Sequence, residues 1–125
     1  VNSLGVNTAA SGTAGEIRAT NDITAFYSDP RLKDFHGTIG NALSKVQQLN
    51  GYYWKQNEVA RSLGYENEDM QVGLNAEEVE KVLPEIIKDA PIGHGYKTLD
   101  YAKLVPLLIE AIKELKRKLS VWSGD

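Results

Sequence analysis

The sequence predicts an α+β fold: a small mixed domain of short strands with one long C-terminal helix, preceded by a β-rich segment. Three observations predict it. Residues 101–122 (YAKLVPLLIEAIKELKRKLSVW) repeat their apolar residues at helical spacing. Upstream, short aromatic or β-branched runs alternate with turn residues, the signature of short strands. Composition also changes at Ser28-Asp29-Pro30-Arg31-Leu32-Lys33, with small and polar residues before it and amphipathic patterning after it.

In chain order, residues 1–15 (VNSLGVNTAASGTAG) offer only Val1, Leu4 and Val6 as larger apolar side chains, too few to offset the entropy of ordering the segment alone. Glu16–Thr20 and Ile23–Tyr27 read as two strands joined by a turn at Asn21-Asp22. Two strands are marginal by themselves, so they require a partner surface. Phe35, Ile39, Leu43, Val46 and Leu49 then recur at helical intervals; the glycines at 37 and 40 start the helix near Thr38, and Asn50-Gly51 stops it. Tyr52–Lys55 reads as an aromatic strand whose rings are expected in core or interface packing rather than as a ligand platform.

Residues 56–69 are a polar excursion with a short helical turn at 58–63. Met70–Leu74 is a strand, and Asn75 caps a helix over Ala76–Leu83, with Glu77 and Glu78 favourably placed in its first turn. Val79, Val82 and Leu83 share its apolar face, and Pro84 ends it. Glu85–Ala90 and Tyr96–Asp100 read as strands about a turn at 91–95. In the last helix, Val105, Leu108, Ile112, Leu115, Leu119 and Trp122 are spaced three, four, three, four, three, a heptad seam. Leu104, Leu107 and Ala111 form a second stripe. Two stripes predict a helix packed on its own domain on one side and on neighbouring chains on the other. Pro106 belongs to the first turn or kinks the helix there.

Composition narrows the function classes. The 125 residues bound a single domain of useful core size. Fourteen basic against 17 acidic side chains, a net charge of -3, leave no clustered basic face for nucleic acid. With no cysteine, disulfides, thiolate catalysis and Cys-ligated metals are excluded. His36 and His94 stand far apart in sequence and read as loop residues, so neither a metal nor a cofactor is expected. No apolar run approaches a membrane span, the N-terminus lacks the pattern of a signal peptide, and Val1-Asn2 reads like the start of a piece cut from a longer chain.

The chemistry concentrates in Ser28-Asp29-Pro30-Arg31-Leu32-Lys33. A hydroxyl becomes a nucleophile once a base takes its proton, and a partly desolvated lysine amine can be that base, helped by a neighbouring cation such as Arg31. The competing reading of these six residues is a polar turn, broken at Asp29-Pro30 with its cations solvated.

The order of motifs carries a family resemblance. Ser28-Asp29-x-Arg31-Leu32-Lys33 is followed by Tyr53-Trp54-Lys55, Val72-Gly73-Leu74-x-Ala76-x-Glu78-Val79 and Leu83-Pro84-Glu85, then by Leu99-Asp100-Tyr101-x-x-Leu104-x-Pro106-Leu107-Leu108-x-Glu110-Ala111-Ile112-Lys113-Glu114-Leu115. Over about residues 28 to 120 this resembles the C-terminal intramolecular chaperone domain of phage tail spikes and tail fibres, the endosialidase-type chaperone or S74 self-cleaving peptidase family. The resemblance implies a homotrimer, joined through the seam Val105, Leu108, Ile112, Leu115 and Leu119. That trimer guides its own fibre chain into shape and then cuts itself off between Ser28 and Asp29.

Ser28 and Lys33 map onto the family's essential pair; Asp29, beside the cut bond, is a third catalytic candidate that would assist through its side chain, and Arg31 is motif support. Residues 1–28 would be the end of a shaft and 29–125 the chaperone. Assembly would take place in the bacterial host cytoplasm, the mature shaft staying in the virion tail after the chaperone is released. Pro30 departs from a position that is commonly acidic or polar, and Asn75 and Glu77 from an aliphatic residue and a glutamine. Two alternatives remain: a non-cleaving trimerisation module, and the same self-cleaving fold in a membrane-anchored transcription factor. The glycine-rich leading segment and the charge balance favour the fibre.

Overall fold

The structure, a computed structural model, describes residues 1–123, with side chains through Ser120; the side chain of Trp122, in the expected seam, therefore lies outside what is described. The chain divides into two compact units, Val1–His36 and Gly37–Asp125.

In the first unit, β1 (Leu4–Val6) and β2 (Ile17–Ala19) pair in parallel, Leu4 opposite Ile17 and Val6 opposite Ala19. The segment between them turns back through Gly12 and Gly15, both at positive φ, where a side chain would be strained. Backbone bonds from Leu4 N to Glu16 O (3.0 Å) and Gly15 N to Asn2 O (2.7 Å) close the loop.

The strand expected at Glu16–Thr20 is present, but its partner is not Ile23–Tyr27, which forms no strand. Two local features defeat the hairpin. Asn21 Oδ1 accepts from the Asp22 N–H at 2.8 Å, using the turn's donor locally, and Phe26 leaves the extended region at φ 54. The leading segment instead supplies the partner strand through backbone hydrogen bonds, which need no apolar surface. Leu4, Val6 and Ile17 remain exposed.

The second unit is built on α4 (Val105–Ser123), entered through a 3-10 turn at Tyr101–Leu104 whose N-cap, Asp100, accepts from Ala102 N at 3.2 Å. Pro106 lies in the first turn of α4, where its missing N–H costs nothing. Leu104, Leu107 and Ala111 are buried with Ala42, Val79, Val82, Leu83 and Ile86 as one core, so the second stripe packs within the unit as expected. Leu107 and Val79 are its largest fully buried side chains, each stabilising by about 1.5–3 kcal/mol.

α1 (Ala42–Gln47) packs on α4 but begins four residues later than the periodicity predicts. Gly37 (φ 98) and Asn41 (φ 52) hold the preceding segment out of helical geometry. Asn41 makes no side-chain cap; Glu114 of α4 accepts from Leu43 N at 3.0 Å and caps α1 from outside.

β3 (Tyr52–Trp54) and β4 (Gln71–Gly73) form an antiparallel pair with Tyr53 opposite Val72, flanking α2 (Glu58–Ser62). Of the expected core or interface packing of the aromatic run, the core part is corrected here: within the single chain Tyr52, Tyr53 and Trp54 are all exposed, Tyr53 by 80 %. A two-stranded pair has too little surface around it to cover both faces. Tyr52 instead donates its hydroxyl proton to Glu78 (2.8 Å); that bond, which ionising the phenol would forfeit, raises the Tyr52 pKa, with partial desolvation and the carboxylate's charge adding to it. Gly73 is small for a reason: a Cβ there would sit 2.8 Å from the Tyr101 hydroxyl, which accepts from Leu74 N at 2.8 Å.

α3 (Ala76–Val82) starts at Asn75, whose side chain accepts from Glu77 N at 2.8 Å. Pro84 ends it in a 3-10 turn, Pro84–Ile86, so the strand expected from Glu85 begins only at β5 (Ile87–Asp89), antiparallel to β6 (Lys97–Leu99). Their connection passes through Gly93, His94 and Gly95, all at positive φ, which makes His94 a turn residue. Lys97 pairs with Glu80, and this contact holds the ammonium above its ordinary pKa.

Candidate functional site

Ser28 to Lys33 fold as one short reversal. Asp29, in extended conformation, is the N-cap of a 3-10 turn over Pro30–Leu32; its Oδ1 accepts from Arg31 N at 2.9 Å. Pro30 occupies the first turn position, where its fixed φ suits the bend and its missing donor is not needed. Leu32 N donates to Asp29 O (3.1 Å) and Lys33 N to Pro30 O (3.3 Å), which reverses the chain. The reversal brings Lys33 Nζ to 2.9 Å from Ser28 Oγ, across five residues of sequence. Ser28 is exposed and Lys33 half-buried.

The two remaining residues of the motif hold each other. The Arg31 guanidinium forks onto Asp29, with Nε 3.1 Å from Oδ1 and its terminal nitrogen 2.9 Å from Oδ2. Arg31 therefore faces the carboxylate, whereas sequence reasoning expected it as a cation beside Lys33. The side-chain contact with Arg31, then the bond from its backbone N–H, hold the Asp29 carboxyl below its ordinary pKa, and the same pair raises that of Arg31. With a depressed folded-state pKa, the support Asp29 lends this turn is fully present above the ordinary aspartate value and is lost as pH falls through the lowered one. An NMR titration of the Asp29 carboxyl carbon should therefore give a midpoint below that of an unpaired aspartate. A midpoint at the ordinary value would mean that the fork does not form in solution.

The seam residues lie elsewhere in the chain, on α4. Val105, Leu108, Ile112, Leu115 and Leu119 are between 45 % and 65 % exposed, an apolar stripe without cover in the single chain. Among the described residues there is no group of three or more His, Asp or Glu placed to hold a metal ion, and no helix is long and apolar enough to cross a membrane. Sequence reasoning missed Phe26, which adopts φ 54 and sets its ring 5.1 Å from that of Tyr27, immediately before Ser28. The aromatic pair ahead of the serine was visible; its backbone conformation was not.

Comparison with known proteins agrees with this arrangement of motifs. Residues 28–88 match the family described as chaperone of endosialidase, also designated peptidase S74, and the match begins at Ser28 itself. The chain is 34% identical over 94 residues to the long tail fiber protein Gp37 of Enterobacteria phage K3, and equally so to that of Enterobacteria phage T2, covering 74% of this chain in each case. It is 32% identical over 87 residues, 70% of the chain, to Gp37 of Escherichia phage AR1. These matches span only 7% to 8% of the length of those relatives. Through residues 28–88, the chain belongs to the chaperone-of-endosialidase family.

Proposed function

We propose that this chain is a self-cleaving intramolecular chaperone of a phage tail fibre: it trimerises through α4, guides its own fibre chain during assembly in the host, and then separates from it. The observation that carries the reading is the 2.9 Å approach of Lys33 Nζ to Ser28 Oγ. In this mechanism the free amine of Lys33 takes the Ser28 proton, and Oγ attacks a neighbouring carbonyl to form an ester. The released amine takes up the proton, and water then hydrolyses the ester. Asp29, Pro30 and Arg31 hold the turn, so that attack within one chain avoids the entropy of collecting a substrate. The boundary between shaft and chaperone falls at the cut, Ser28–Asp29. The shaft stays in the virion tail.

The position of the cut reports which carbonyl is attacked. Attack by Oγ on the carbonyl of Ser28 itself closes a four-membered ring and severs Ser28–Asp29. Attack on the Tyr27 carbonyl closes a five-membered ring and severs Tyr27–Ser28. Intact-mass spectrometry of the incubated protein should give fragments 1–28 and 29–125; fragments 1–27 and 28–125 would assign the attack to Tyr27. A chain that stays whole when trimeric would remove the self-cleaving reading.

The chaperone role has its own test. A fibre gene truncated after Ser28 should yield aggregates or monomers, while the full-length gene yields trimers. Recovery of native trimers from the truncated gene would leave a self-cutting tag with no part in folding.

A further inference from the structure

Among the described residues, four other than glycine adopt positive φ: Asn7, Asn41, His94 and Phe26. Asn and His enter the left-handed region comparatively easily, Asn by bonding its own backbone; a phenylalanine there is uncommon. Phe26 stands two residues before Ser28, in a segment whose β-branched and aromatic residues, Ile23 to Tyr27, would otherwise favour a strand. A strand paired through this segment would engage its carbonyls in a ladder and carry Ser28 onward in a straight line. The left-handed residue interrupts it. From Tyr27 the chain runs without a ladder to Asp29, where the 3-10 turn bends it back toward Lys33.

We infer that Phe26 is a positioning residue for self-cleavage: its left-handed backbone keeps residues 27–29 out of a β ladder and sets the direction in which Ser28 meets Lys33. The inference rests on the self-cleaving reading above and adds to it a residue outside the Ser-to-Lys motif. It also separates the two possible contributions of this residue. The backbone conformation matters for the cut, whereas the ring, 89 % exposed and set against Tyr27, is replaceable.

Substitutions that differ in their tolerance of positive φ test this. Glycine adopts such φ freely and asparagine readily, while a β-branched side chain resists it. Phe26→Gly and Phe26→Asn should cut at close to the wild-type rate although both remove the ring. Phe26→Ile, similar in apolar character, should cut several-fold more slowly, because a β-branched side chain tolerates the left-handed region less well than the phenylalanine already held there. All three should keep the wild-type circular dichroism and oligomeric state, so a slow Phe26→Ile cannot be charged to unfolding. Rescue by glycine is the outcome that a general loss of packing would not produce.

Phe26→Ile cutting as fast as the wild type would overturn the inference, and so would Phe26→Gly and Phe26→Asn as slow as Phe26→Ile, which would assign the effect to the ring. In either case a wild type that still cuts leaves the self-cleaving reading standing. A wild type that never cuts, in contrast, removes both.

Discussion

Ser28→Ala should leave the chain intact through any incubation that converts the wild type to two fragments. Alanine removes the one oxygen placed 2.9 Å from Lys33 Nζ, while the Asp29 cap, the Arg31 fork and the turn bonds involve other atoms and survive. Lys33→Ala leaves the hydroxyl but removes its proton acceptor, and should slow cleavage by about 10²–10⁴-fold, the usual worth of a positioned general base. Lys33→Arg should be nearly as slow despite keeping the charge, because a guanidinium does not give up its proton in proteins. Asp29→Asn separates support from chemistry. Asparagine is as good an N-cap as aspartate but cannot form the ion pair, so cleavage should slow only modestly. A Ser28→Ala protein that cuts at the wild-type rate would falsify the nucleophile assignment. Lys33→Arg at full speed would do the same for the base.

The second large effect is expected far from the motif. Leu108 and Leu115 lie one heptad apart on the exposed stripe of α4, away from Leu104, Leu107 and Ala111, which the core has already buried. Replacing both with Asp should leave the single unit folded, since neither side chain contributes to that core. In a trimer each substitution would place three carboxylates along one seam, at a desolvation cost that association cannot offset. The double variant should scatter light as a monomer. If assembly gates the reaction, as a timed release requires, it should also fail to cut. A monomer that still cuts would uncouple the two and reduce the seam to holding chains together. A variant that remains trimeric would place the interface on another surface of the chain.

How far the sequence reaches can be judged residue by residue. Where a signal is local and repeated, it was sufficient. The two stripes of the last helix, the Asn75 cap, the stop at Pro84 and the strands at Tyr52 and Gln71 all follow from periodicity and from backbone chemistry carried by single residues. The ordered motifs likewise identified the family. The expectations that failed concern element boundaries, such as the late start of α1, and above all partner choice.

Ile17–Ala19 was recognisable as a strand, yet its partner is Leu4–Val6, because any extended segment offers the same donors and acceptors and loop geometry selects among them. Tyr52–Trp54 read as core or interface residues, and aromatic character does not state whether enough of the same chain remains to cover them. The outside cap on α1 was equally hidden, since Glu114 and Leu43 are 71 residues apart. The same division runs through the candidate site. By itself the sequence determined which groups are present between Ser28 and Lys33, and offered a polar turn there only as the competing reading. Only the tertiary structure decided that Arg31 turns to Asp29, that Lys33 meets Ser28, and that Phe26 bends the chain ahead of them. Those outcomes depend on backbone torsions and on competition between neighbouring hydrogen bonds, which residue identity constrains but does not fix.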